Sequence, residues 1–151
     1  MILNKSKLGG KLTRNVILTP FDFKEDVDEF SVKIRVGQTV YFRDDNKKLQ
    51  PHKIAGLVLK PGEVYLIEAA QTVNVKSAVV MCTLNERMRR LGLVYSPGFF
   101  YPGYEGKMLF AVSVARNTTI KPGDAFISMH LIEGGTNFKS SYDGKYNGGK
   151  I

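Results

Sequence analysis

Short apolar stretches cut by turn signals run along most of the chain, a pattern that argues for strands rather than helices. Val32, Ile34 and Val36 alternate with polar neighbours over 31–36, which predicts one buried face of a strand. Gly37 is expected to end that strand, with 39–42 as the next one, and Asp44 to Lys48 reads as a polar turn. Lys60-Pro61-Gly62-Glu63 is a turn signal leading into a strand at 64–67. Lys121-Pro122-Gly123-Asp124 is a similar turn leading into a strand at 125–132. Residues 73–75 and 78–83 are two further strand candidates. Helix is scarce: 85–91 alone suggests about two turns, with Asn85 as the N-cap. From Glu133 onward the apolar pattern stops. The expected division is a β domain over 1–132 and a tail over 133–151, mobile until a ligand or partner orders it.

A chain of 151 residues suits one domain with a sizeable core. Its longest apolar runs, such as 54–59 and 78–82, are too short to span a bilayer, so no membrane association is expected. The N-terminal residues show no long apolar segment and no small-residue cleavage site, so no secretory leader is expected. Cys82 is the single cysteine and cannot form an intramolecular disulfide, in keeping with a reducing, cytoplasmic location. One cysteine and two distant histidines, His52 and His130, cannot make the usual zinc constellation. The H-x-E and P-C-x-x-C spacing of zinc-dependent deaminases is also missing. The net charge of +8 favours anionic partners such as nucleotides, nucleic acid or acidic surfaces. It is equally compatible with a basic surface that only maintains solubility. No nucleic-acid recognition motif is present, so nucleic acid is the less favoured partner.

Six segments, in order, resemble the dCTP deaminase branch of the dUTPase-like superfamily. They are the start Met1-Ile2-Leu3, the strand Ser31-Val32-Lys33-Ile34-Arg35-Val36-Gly37, the turn Leu59-Lys60-Pro61-Gly62-Glu63, the stretch Met88-Arg89-Arg90-Leu91-Gly92-Leu93, the motif Tyr101-Pro102-Gly103-Tyr104-Glu105-Gly106, and Tyr142-Asp143-Gly144-Lys145-Tyr146. The resemblance implies an all-β, dUTPase-like distorted β-barrel or jelly-roll with one or two short helices. It also implies a homotrimer with sites at subunit interfaces, and a C-terminal segment that closes over a nucleotide.

The family's chemistry depends on carboxylates that this chain replaces. Aligned on Gly106, the position of the deaminase base is Ala111, which cannot take a proton. The water-orienting Asp of the hydrolase branch falls at Tyr101, whose phenol is a poor base at neutral pH. A third Asp becomes Lys33, the phosphate-contacting Ser-Ser pair becomes Glu86-Arg87, and a Gln falls close to Ser128. Glu105 and Glu86 are the nearest substitute bases, although each also reads as a solvated surface residue. The expected catalytic set is therefore empty.

Binding residues survive better. The resemblance gives Arg90 a phosphate contact, with Arg87 and Arg89 adding charge beside it. Lys145 and Tyr146 match a Lys-Tyr pair of the closing tail. Phe99, Phe100, Tyr101 and Tyr104 sit on the hairpin that holds base and sugar in the family, where ring faces can stack a base. At least two of these four are expected to be core instead. The implied function is a non-catalytic nucleotide-binding protein that sequesters or senses a phosphorylated nucleotide or nucleotide second messenger. The alternatives are a divergent dCTP deaminase or dUTP diphosphatase, and a trimeric protein-binding regulator. No cofactor is expected, and magnesium enters only with a triphosphate ligand.

Overall fold

The computed structural model describes residues 2–12, 14–133 and 144–150. In chain order the elements are α1 (Lys5–Lys11), β1 (Val16–Thr19), α2 (Phe23–Asp26), β2 (Val32–Arg43), β3 (Leu49–Lys53), β4 (Tyr65–Val75), β5 (Val79–Leu84), α3 (Glu86–Leu91), β6 (Leu93–Val94), β7 (Gly98–Phe100), β8 (Glu105–Val114) and β9 (Ala125–Ile132). All strand pairs among the described residues are antiparallel. The sheet runs β6-β8-β4-β2-β9-β5-β7, with β1 added to β4 and β3 added to β2. It curls into a half-barrel, as the all-β expectation requires.

The curl is made by β2. Its first half, Val32 to Arg35, pairs with β9, while its second half pairs with β4 and β3. Register shifts interrupt both pairings near Val36. A strand that changes partners at a bulge turns a corner between two sheet halves. Gly37 therefore does not end the strand, as the sequence pattern suggests, and 32–36 and 39–42 are one element. The reason is close approach: a Cβ at Gly37 would stand 2.6 Å from the Glu68 carbonyl oxygen on β4. A glycine that looks like punctuation is here the contact point of two strands.

The candidates at 64–67 and 73–75 likewise prove to be the two ends of the single strand β4. The polar stretch between them hides this. Gln71 is only 2% exposed. Its Oε1 accepts from Arg35 N at 3.0 Å, and its Nε2 donates to Lys33 O at 3.3 Å. At the point where β2 leaves β4, this side chain replaces the missing ladder partner. Gln71→Ala is expected to lower stability by about 1–3 kcal/mol, because two partly buried backbone groups lose their partner. Urea unfolding of the pure protein measures it.

The strand at 125–132 and the helix at 85–91 match expectation, the Asn85 side chain accepting from Met88 N at 2.9 Å. Elements α1, α2, β1, β3, β6 and β8 were not legible, and β7 falls within the hairpin that only the resemblance implied. Helix α1 carries two glycines and gains its stability from burying Leu8, with Leu12 beyond its end, rather than from propensity. Strand β3 contains Pro51, which is tolerated because β2 is its only partner strand among the described residues. The core is centred on Phe110 and Phe126, whose rings meet edge to face at 5.4 Å.

Candidate functional site

Strand β8 alternates strictly. Met108, Phe110 and Val112 are buried, while Leu109 and Ala111 look the other way. Leu66 of β4 lies opposite Ala111. These three residues form the apolar floor of a cleft of about 780 Å³. One wall is Tyr95 and the hairpin from Gly98 to Tyr104. Arg43 and Leu49 supply another, from the ends of β2 and β3, and Lys145, Tyr146, Gly149 and Lys150 supply a third.

The four hairpin aromatics divide two and two, and the inward pair is one that the expected binding set contained. Phe100 and Tyr104 pack inward, edge to face with each other at 4.7 Å, and Phe100 reaches Phe110 at 6.0 Å. The Tyr104 hydroxyl donates to the Lys107 carbonyl. Phe99 and Tyr101 remain 48% and 50% exposed, with nearly parallel rings 6.1 Å apart. Tyr146 adds a further exposed ring, with the Lys145 ammonium 5.4 Å above it. Burial pushes the Tyr95 phenol well above its ordinary range, with a smaller contribution from nearby Cys82, so it stays a neutral hydroxyl.

The charge of the cleft has one sign. Arg43, Lys145 and Lys150 line it, and no carboxylate does so among the described residues. No carboxylate, histidine, serine or cysteine stands on its described walls as a base or nucleophile. Among the described residues no cluster of His, Cys, Asp or Glu is suited to hold a metal. No helix there is long and apolar enough to cross a membrane.

Sequence reasoning placed Phe100, Tyr101, Tyr104, Lys145 and Tyr146 in a site, and the fold brings all five to this cleft, with Ala111 in its floor. Arg87, Arg89 and Arg90 stand elsewhere, on α3. Arg89 Nη2 lies 2.8 Å from Glu86 Oε2, Arg90 Nε donates to Glu86 Oε1 at 3.0 Å, and Arg87 Nη1 lies 3.9 Å from Asp124. Arg89 also lines a smaller hollow of about 270 Å³ that shares Tyr95 with the cleft. The bond from Arg90 and the charges of Arg89 and Arg90 hold the Glu86 carboxyl below its usual range, which makes it a weaker proton acceptor. Glu105 is exposed and does not line the cleft. Lys33 is remote from it, donating to the Glu25 carbonyl at 3.3 Å with Asp28 3.7 Å away. Ser128 sits on β9 opposite Lys33. Tyr142 and Asp143 lie outside the described residues. Arg43, Tyr95 and Lys150 were missed, because nothing in their local sequence tells that they meet at one cleft.

Comparison with known proteins gives a consistent picture. A family model described as dCTP deaminase-like matches residues 2–134. A dCTP deaminase of Thermococcus kodakarensis is 26% identical over 144 residues, covering 93% of this chain and 90% of the relative. The crystal structure of 2'-deoxycytidine 5'-triphosphate deaminase from Agrobacterium tumefaciens is similar with a TM-score of 0.70 at 14% identity. That match covers 88% of this chain and 48% of the other, so the likeness is one of fold to about half of a longer protein.

Proposed function

The chain belongs to the dCTP deaminase-like family, and from that membership we propose that it binds a phosphorylated nucleotide without turning it over, as a sequestering or sensing protein. The observation that carries this reading is the cleft itself, with three cations, exposed aromatic faces and no carboxylate among its described lining residues. Cationic side chains favour phosphate, and exposed rings favour a planar base. The floor residue at the position implied for the deaminase base is Ala111, and the residue implied for the hydrolase Asp is Tyr101. A methyl group moves no proton, and a phenol at neutral pH is protonated.

The homotrimer belongs to the same proposal. Within one chain the α3 arginines are held by Glu86 and Asp124 rather than aimed into the cleft. Sites between subunits would let Arg89 and Arg90 of one protomer meet the cleft of the next. The phosphates then exchange for Glu86 as partners of these exposed guanidinium groups, at small cost. No metal is required for such binding, and magnesium would accompany a triphosphate only as its counter-ion.

The test is recovery of intact ligand. The protein is incubated with a panel of nucleoside mono-, di- and triphosphates that includes dCTP and dUTP, then denatured. Each bound nucleotide is expected back unchanged, and native mass spectrometry is expected to show three subunits with nucleotide attached. Release of dUTP from dCTP, or of diphosphate from dUTP, at enzymatic rates would replace this reading with a divergent deaminase or diphosphatase.

A further inference from the structure

We propose that an ion pair at one end of the cleft floor, Glu68 with Lys107, selects a guanine nucleotide as the ligand. The proposal rests on the nucleotide-binding reading and names the base. Outward-facing positions alternate along β4 and β8, so Glu68 shares a face with Leu66, and Lys107 with Leu109 and Ala111. Glu68 lies directly across from Leu109 and two residues beyond Leu66, both of which line the cleft. Lys107 reaches diagonally across to it, its Nζ donating to Glu68 Oε1 at 2.8 Å. A Cβ at Gly149, another lining residue, would stand 2.9 Å from the Lys107 carbonyl oxygen. The pair therefore stands one step past the lining, where the apolar floor ends.

The Glu68 side chain is only 13% exposed, and its carboxylate makes no further hydrogen bond among the described residues. A carboxylate so placed keeps acceptor sites open with little water to fill them. Lys107 is 59% exposed, and its ammonium has two donors left. The hydrogen bond and charge of Glu68 hold that ammonium above its ordinary range, so it stays charged at neutral pH. Together the pair offers a donor beside a double acceptor. Guanine presents the complement in a row: O6 accepts, then N1–H and the 2-amino group both donate. Uracil and thymine have a single donor between two acceptors. Cytosine and adenine set one amino group beside a ring acceptor. Of these bases, guanine alone gives a carboxylate two adjacent donors. The contact lies in the plane of the ring and leaves the ring faces to the aromatic side chains. The opposite end of the floor suits the phosphates. From the row of Tyr41 and Leu66, Arg43 lies two residues one way and Glu68 two residues the other, about 13 Å apart along the strands. A nucleoside phosphate bridges such a span, and a cleft of about 780 Å³ accepts a purine.

The experiment measures binding of dGTP, dITP, dCTP and dUTP by isothermal titration, to the full-length protein and to Glu68→Gln. The unaltered protein is expected to bind dGTP at least about tenfold more tightly than each of the others. In dITP the base lacks only the 2-amino group, so that comparison tests the second donor without any substitution. Glu68→Gln is expected to shrink the preference for dGTP over dUTP to about twofold, because an amide offers one acceptor and turns a donor toward the base. The readout is the ratio of affinities. Lost stability lowers all four affinities together and leaves the ratio as it was. Binding of dITP, dCTP or dUTP as tight as that of dGTP would overturn the guanine assignment and leave the nucleotide-binding reading standing. An unchanged ratio in Glu68→Gln would overturn the role of the ion pair. Failure of all four to bind would overturn the nucleotide-binding reading itself, and this proposal with it.

Discussion

Replacing Phe110 by alanine is expected to lower stability by about 3–5 kcal/mol, the largest loss from any single change considered. Phe110 is 1% exposed and lies on β8 directly beneath the cleft. Its ring meets Tyr95 at 5.8 Å, Phe100 at 6.0 Å and Phe126 at 5.4 Å, each edge to face. Truncation loses the transfer energy of the ring and leaves a cavity. The cavity cannot collapse easily, because its walls are rings fixed by β7, by β9 and by the connection between β6 and β7. Edge-to-face contacts of this kind add about 0.5–1.5 kcal/mol each beyond burial. The same change removes the backing of Tyr95 and Phe100, which wall the cleft, so nucleotide affinity should fall with stability. Phe110→Leu refills most of the space and should lose less on both counts. Chemical denaturation of both variants, with binding measured under conditions where each is fully folded, tests the coupling. A loss below about 1 kcal/mol for the alanine variant would mean that this aromatic cluster is not the centre of the core.

Much of this architecture was legible because it is set by local chemistry. Strand β9 follows a Pro-Gly turn and alternates cleanly, and α3 begins at a good capping residue. What was not legible depends on contacts between distant residues. Gly37 reads as a strand end until the Glu68 carbonyl is seen against it, and Gln71 reads as a break in β4 until it is found bridging Lys33 and Arg35. Helix α1 has a sequence that argues against helix, and tertiary burial overrides it. The site divides in the same way. Five of the eight binding residues expected from motifs do converge on one cleft, and the three α3 arginines do not join them within a chain. Arg43 was invisible because it ends a long strand whose length the sequence did not reveal.

Arg43 is also the residue that most sharply tests what the cleft is for. It approaches from the β2–β3 end, while Lys150 approaches from residues 144–150. A ligand held by both bridges two distant stretches of the chain. Reversing both charges, with Arg43→Glu and Lys150→Glu together, removes two charge-assisted contacts worth about 1.5–3 kcal/mol each. The expected result is a rise in Kd of at least about a hundredfold for a nucleotide that the unaltered protein binds. Stability should change little, because both side chains are exposed and the bond Arg43 donates to the Lys47 carbonyl is itself exposed. The double variant also shifts the net charge of the protein, and a general field effect has to be separated from a local one. Lys60→Glu with Lys76→Glu makes the same shift at exposed positions outside the cleft. That control should weaken binding only slightly at low salt and not at all near physiological ionic strength, where the Debye length is about 8 Å. Equal losses in the two double variants, measured by isothermal titration at both salt concentrations, would show that the +8 charge acts as a diffuse field and that the cleft is not where the anion sits.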